Sequence, residues 1–265
     1  MRASLRRIWG MMFRHLALFR RSWPRLAELA YWPVLQMCIW GFTASFLATR
    51  TGNSLAMAGG LLLGGVLLWE VTLRSQMGFA VSFLEEIWSR NLGHLFVSPV
   101  RPWEMVAALT GMSVLRMAIG VVPAILLAWA LYAFNLFALG PVLVLFFINL
   151  MLMGWCVALA VVSLILRHGA GAETLAWGVM FGVAPFCAIY YPVSVLPVWL
   201  QPFSLALPAT HVFEGMRAAL AGTIRWDHLA AAFGLNLFWI AAAALLFANQ
   251  FRAARVRGAL LSIGE

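Results

Sequence analysis

Apolar runs with almost no charge, long enough to cross a lipid bilayer, recur along this chain and constrain its fold more than any other feature. Crossing the hydrocarbon takes about 20 predominantly apolar residues in a helix. A helix is required because the bilayer offers no water to the backbone N–H and C=O groups, so each must find its partner within the segment. Six runs are candidates, at about 29–48, 55–73, 105–132, 141–166, 175–189 and 229–249. The fifth is short and flanked by glycine and proline. Of the 265 residues, 64% are hydrophobic and only 10% charged, whereas a soluble domain carries about 25% charged residues. The expected fold is one all-α integral membrane domain over 1–265, with a basic segment at 1–28, a six-span core at 29–250 and a tail at 251–265.

The formal net charge is +9, and all 18 basic residues are arginine. In a soluble protein that excess would suggest nucleic acid. Beside membrane spans it suggests cytoplasmic loops and anionic headgroups instead. The N-terminal segment holds Arg2, Arg6, Arg7, Arg14, Arg20, Arg21 and Arg25, the loop after the second run Arg90 and Arg101, the loop after the fourth Arg167, and the C-terminal tail Arg252, Arg255 and Arg257. The opposite side has only Arg50, Arg217 and Arg225. The positive-inside rule therefore puts both termini in the cytoplasm, as an even number of spans also requires. The first run follows a long arginine-rich stretch with no small-residue cleavage site, so it is expected to remain as an anchor.

Residues 4–22 have amphipathic helical spacing. Leu5, Ile8, Trp9, Met12, Leu16 and Phe19 share one face, and Arg7, Arg14 and Arg21 the other. This predicts a helix lying in the membrane interface with its arginines toward phosphate, ended or bent at Pro24; a simple basic flank is the alternative. Two connections are long. In the first, about 74–104, Leu84, Ile87, Trp88 and Leu92 form an apolar stripe beside Glu85, Glu86 and Arg90, which predicts a short amphipathic helix before Pro99. The second, about 190–228, is apolar yet carries Pro192, Pro197, Pro202 and Pro208. It is too apolar to float in water and too proline-rich to span as one helix, so a pair of short re-entrant helices is expected.

Few residues offer chemistry. With no lysine the chain has no Walker A motif, and neither G-x-S-x-G nor H-E-x-x-H occurs. No metal site is expected from His94, His168 and His211, which lie far apart, and no cofactor from any motif. Cys38, Cys156 and Cys187 sit in apolar runs and are expected to behave as small hydrophobes. The ionisable residues in or beside the spans are more informative. A central arginine costs about 2.5–3.5 kcal/mol on insertion scales, so Arg116 needs a partner or a wet cavity. Glu70 and Arg74 are spaced for an i,i+4 ion pair near the end of the second run. For all three, a polar patch on a translocation path or subunit seam stands beside a purely structural pairing. Glu214 and Arg217, three apart, are expected to pair locally and hold the re-entrant segment. Gly59, Gly60, Gly64 and Gly65 allow close helix contact, within one chain or between two.

Tyr191-Pro192-Val193-Ser194-Val195-Leu196-Pro197-Val198-Trp199-Leu200-Gln201-Pro202, then Leu207-Pro208-Ala209-Thr210-His211 and Glu214-Gly215-Met216-Arg217, resembles the signature near the C-terminus of ABC-2 type exporter permeases. Glu85-Glu86 through Leu95-Phe96-Val97-Ser98-Pro99-Val100-Arg101 resembles the same family's loop before the third span. The resemblance implies a non-catalytic transmembrane subunit in the cytoplasmic (inner) membrane of a bacterium, paired with a second permease subunit, most simply a homodimer. A separate cytoplasmic ABC ATPase would bind ATP and magnesium and drive export of an amphiphilic drug, lipid or glycan-like cargo. It also implies that the 84–98 region is a coupling helix, with Glu85, Glu86, Trp88 and Arg90 docking the ATPase and with Glu85, Glu86 and Arg90 on its exposed face. Tyr191, Pro192, Pro197 and Pro208 would shape the re-entrant segment. A stand-alone secondary transporter or channel is the alternative.

Overall fold

A computed structural model of the chain describes residues 2–21, 23–51, 54–91, 98–172 and 174–256. Among these residues the regular structure is all helical. The α-helices are α1 (Arg2–Arg21), α2 (Trp23–Thr51), α3 (Ser54–Trp88), α4 (Pro102–Tyr132), α5 (Val142–His168), α6 (Leu175–Val183), α7 (Gln201–Leu205), α8 (Pro208–Leu220) and α9 (Trp226–Val256), with short 3-10 turns between some of them. Three of them, α4, α5 and α9, are long and apolar enough among the described residues to cross a membrane. The outer faces fit that role. Large apolar side chains such as Phe42, Trp129, Leu131, Phe238 and Leu245 are exposed, far more apolar surface than a soluble monomer leaves in water.

The helices run alternately up and down. One end gathers the C-terminal ends of α3, α5 and α9, the start of α4 and the contacts of α1 with α4; it carries Arg90, Arg101, Arg167, Arg252 and Arg255 and is called the basic end below. α3 packs against α2, α4 and α5, and α9 packs against α5 and α8. Two apolar clusters fill the bundle. One, around Leu67, Phe146, Phe213 and Met216, occupies the half away from the basic end. The other, around Phe79, Phe83, Leu109, Ile165 and Phe247, occupies the basic half. Buried polar groups bridge helices where the halves meet. Ser113 Oγ donates to Ser75 O at 2.8 Å, Trp155 Nε1 donates to Ser113 Oγ at 2.8 Å, and Gln76 Nε2 donates to Ala176 O at 3.0 Å. Each bond satisfies a polar atom that would otherwise be stranded in an apolar interior. Gly154 makes the α3–α5 approach possible, since a Cβ there would lie 2.8 Å from Thr72 O and 2.9 Å from Ser75 Cβ.

Several expectations change. α1 is described to Arg21 and α2 from Trp23, so Pro24 lies within the described part of α2, and the point between them where the sequence expects an end or bend falls outside the described residues. The amphipathic stripe at 84–88 is not a separate helix. α3 runs unbroken for 35 residues, about 52 Å, through it. It ends in a Schellman turn: Arg90 has φ 51°, its N–H donates to Ile87 O at 2.8 Å, and the Asn91 N–H donates to Glu86 O at 2.9 Å. Of the motif beyond it, Leu92 and Leu95–Val97 lie outside the described residues, as does His94. The fifth run is not one helix over 175–189. α6 is nine residues long, about 14 Å, and a 3-10 turn with Pro185 follows it. The proline ring obstructs the preceding turn and has no N–H to continue the ladder.

The proline-rich connection folds back onto the bundle as α7 and α8. Ala209, Val212, Phe213 and Met216 on α8 are fully buried in the half away from the basic end. Gly65 on α3 has its close neighbour within this chain: a Cβ there would lie 2.7 Å from Ile189 O.

Candidate functional site

The densest collection of charge lies where α1 crosses the basic ends of α3 and α4. Arg7 reaches Glu104, in the first turn of α4, with both prongs of its guanidinium: Nε donates to Oε2 at 2.8 Å and Nη2 to Oε1 at 2.6 Å. Glu104 also accepts the Arg101 backbone N–H at 2.9 Å and so caps α4. A bidentate arginine–carboxylate pair fixes orientation as well as distance. Two turns on, Arg14 pairs with Glu86, and His15 lies between the two adjacent acids of α3. The His15 Nδ1–H donates to Glu85 Oε2 at 3.2 Å. His15 Nε2 stands 3.1 Å from Glu86 Oε1, close enough for attraction but not aimed for a hydrogen bond. Arg116 of α4 completes the group. Its Nη2 donates to Glu85 Oε2 at 2.7 Å, and its guanidinium lies over the Phe19 ring, 4.8 Å from the centroid. α1 is thus fastened at Arg7, Arg14, His15 and Phe19 to two other helices.

The sequence favours this arrangement locally. Met11, His15 and Phe19 recur every fourth residue and point into the bundle, whereas Leu5, Trp9 and Phe13 are exposed. α1 therefore grips protein with one stripe and offers an apolar stripe to its surroundings, as an interfacial helix does.

The expected exposed acidic face is corrected. Glu86 is fully buried, and Glu85 is largely covered. Both acids face α1 because a buried carboxylate needs a cation or donors, and α1 supplies Arg14 and His15. Asn91 Nδ2 adds a 2.9 Å bond to Glu86 Oε2. Burial alone would push the Glu85 carboxyl up. The hydrogen bonds and charges of His15 and Arg116 outweigh that and hold it below the usual carboxylate range. Arg7 and Arg14 likewise turn to carboxylates rather than only to phosphate. The exposed side chains at the end of α3 and in the turn after it are Trp88, Ser89 and Arg90.

The other candidate residues lie apart from this junction. Glu70 and Arg74 pair on α3, Nε to Oε2, at 3.1 Å. They occupy the middle of that long helix rather than its end, and the Arg74 stem lies against Gly120 of α4. Arg116, equally open to a path or a structural reading from sequence, is 4% exposed and joined to Glu85. In the refolded connection Glu214 pairs with Arg217 at 3.0 Å and accepts the Val193 N–H at 2.9 Å. Tyr191 donates its hydroxyl to Pro185 O. Pro192 leads into a 3-10 turn, Pro197 opens the next turn by accepting the Leu200 N–H, and Pro208 opens α8 at its first position. Val198 and Trp199 are strongly exposed between them.

Four residues of the junction were not singled out by sequence as a site: Arg7, Arg14, His15 and Glu104. The available signal was scarcity. Only nine acids stand in the chain, and an acid three residues into a helix behind Pro102 is placed to cap it. Among the described residues no group of three or more His, Cys, Asp or Glu could hold a metal ion. The junction offers fixed ion pairs linking three helices, a mechanical arrangement rather than a reactive one.

The family model described as ABC-2 type transporter matches residues 7–221. The match begins at Arg7 of the junction and ends just after α8. None of the curated proteins matches the chain at a significant level.

Proposed function

The chain belongs to the ABC-2 type transporter family, a family of membrane permeases that normally work with an ATPase, and from that premise we propose that it is the transmembrane subunit of an exporter. A separate cytoplasmic ATPase supplies the energy, since a chain without lysine has no Walker A lysine to hold nucleotide phosphates. The basic end faces the cytoplasm, in keeping with its arginines. Six crossings, with α6 and the turns after it as the fifth, put both termini on that side. Two permease subunits form the path, and the cargo is amphiphilic.

The observation that carries this reading is the α1–α3–α4 junction. A push on the turn after Trp88 is delivered to the end of a 35-residue helix; ion pairs at Glu86 and Glu104 tie that helix and its neighbour to α1, and the Glu85–Arg116 pair ties the two to each other. Displacement at 89–91 is then shared by three helices. Arg116, Glu85 and Glu86 transmit the push rather than touch the ATPase. Contact falls to Trp88 and Arg90. On the far side, α7 and α8 lie in the outer leaflet as a re-entrant segment past which cargo leaves.

Purification of the tagged chain in mild detergent, with identification of stoichiometric partners by mass spectrometry, tests the proposal. A Walker-motif ATPase recovered near one to one, and reduced by Trp88→Ala with Arg90→Glu, is expected. Those side chains are exposed, so the fold survives their change. Recovery of the permease alone, under conditions that preserve other transporter complexes, would overturn the reading in favour of a stand-alone transporter or channel.

A further inference from the structure

At the basic end, on the side where α9 lies across α5 and the start of α4, the surface opens into a groove of about 720 Å³. That is within the roughly 300–1,000 Å³ of small-molecule sites. Its floor is apolar, with Val106, Phe247 and Phe251 among the lining residues, and its mouth carries Trp103, Arg252 and Arg255. The two arginines are one turn apart on α9. Neither makes an ion pair or a side-chain hydrogen bond among the described residues, whereas most of the acids are already held by other arginines.

We propose that this groove binds one anionic diacyl phospholipid, its phosphate on Arg252 and Arg255 and an acyl chain along Phe247, Ala248 and Phe251. The inference goes beyond the exporter reading and needs only that α9 spans the bilayer. Helix length sets the depth. α9 has 31 residues, about 46 Å, against a hydrocarbon core of about 30 Å. Its last turns therefore lie at headgroup level. The groove begins at Ala244, about 18 Å further in than Val256. Guanidinium forks suit phosphate oxygens, and the indole of Trp103 sits where interfacial tryptophans belong. The two arginines favour an anionic over a zwitterionic headgroup.

Two other occupants fit less well. A second copy packed face to face by a two-fold axis would set Arg252 and Arg255 against the same residues of its partner, with like charges opposed. A cytoplasmic protein could reach the arginines but not the apolar floor, which continues to hydrocarbon depth.

The test uses the full chain, delipidated in mild detergent and titrated with phosphatidylglycerol or phosphatidylcholine of identical chains. Native mass spectrometry counts bound lipids and copies. The expected result is one phosphatidylglycerol per chain held more tightly than phosphatidylcholine. Arg252→Gln with Arg255→Gln should weaken it about tenfold or more, and should weaken phosphatidylcholine, whose phosphate is offset by its own choline, by less. Ala248→Trp, which fills the floor and leaves the arginines, should weaken both lipids. Equal binding of the two lipids, or no loss in the arginine variant, overturns the proposal. Displacement by glycerol phosphate at lipid-like concentrations would mark a small-anion site and overturn it. Loss of dimer in Ala248→Trp with an unchanged lipid count would assign the groove to a second copy, also overturning it. Arg252 and Arg255 are exposed, so the arginine variant carries the test even if Ala248→Trp fails to fold.

Discussion

Glu85→Gln is the sharpest test of whether the junction is held by charge. The change keeps the shape of the side chain and removes only the anion. Arg116 is 4% exposed and donates to that anion at 2.7 Å. Breaking a buried pair by neutralising one partner costs about 3–5 kcal/mol, because the other charge stays in a low-dielectric site. An amide oxygen still accepts from Arg116, and Phe19 still lies beneath the guanidinium, so the lower end, about 3 kcal/mol, is expected. Glu86→Gln provides the internal comparison. Its partner Arg14 has a side chain 43% exposed and can turn to water, so the cost is about 1–2 kcal/mol. Arg116→Met alone should also cost about 3 kcal/mol, since it strips the carboxylate of its cation. Combined with Glu85→Gln it should add little, giving a coupling energy of about 2–3 kcal/mol, as expected for residues in direct contact. The assay is unfolding in mixed micelles on raising the sodium dodecyl sulfate fraction, followed by tryptophan fluorescence. Additive effects, with coupling below about 0.5 kcal/mol, would show that each group is solvated separately and that no ionic latch exists.

Three further outcomes follow from the same contacts. Arg7→Lys should release α1, raising hydrogen–deuterium exchange over residues 4–16 while leaving α5 and α9 protected, because an ammonium cannot reproduce the two-pronged contact with Glu104. Glu214→Gln should raise protease sensitivity around residues 191–200 and leave α1 exchange unchanged, since Glu214 accepts the Val193 N–H and pairs with Arg217. Acid should loosen α1 in a defined direction. The Glu85 carboxyl is held below its unfolded value, near 4.3 for a glutamate, so its contribution is fully present above that pH and is lost as pH falls through the lower folded value. The Glu85-linked part of α1 protection, corrected for the intrinsic exchange rate, should therefore be lost only as pH falls below the ordinary carboxylate range, and Glu85→Gln should abolish that part.

Residue spacing and composition revealed the apolar helices because period and run length are local properties. The same locality made the Glu70–Arg74 and Glu214–Arg217 pairs readable at i,i+4 and i,i+3. The junction was not readable in that way. Arg7 and Glu104 are 97 residues apart and His15 and Glu85 are 70 apart, distances that only a fold closes. The acids at 85 and 86 illustrate the consequence. A stripe of leucine, isoleucine and tryptophan beside two glutamates has the pattern of a helix with a solvated face, yet the helix continues from the bundle and α1 covers those acids. Local proline chemistry was more legible than its result: Pro185 lies inside the fifth run, and the helix stops at Val183 ahead of it.

The charge pattern then has a single physical account. An acid in an apolar bundle must be matched or neutralised, and six acids of the described chain stand against arginine: Glu70, Glu85, Glu86, Glu104, Glu214 and Asp227. Four of those pairs involve α3 or α4, the helices whose relative position the junction fixes. Arginines matched inside the protein cannot also hold an anionic headgroup. Those that can, among them Arg252 and Arg255 on α9, lie at the basic end without a carboxylate among the described residues. One residue type thus serves two tasks divided by geometry. Matched arginines fasten helices to one another, and Arg252 and Arg255 stay free for an anionic headgroup, so neutralising Arg252 should leave the junction intact while Arg116→Met should leave lipid preference unchanged.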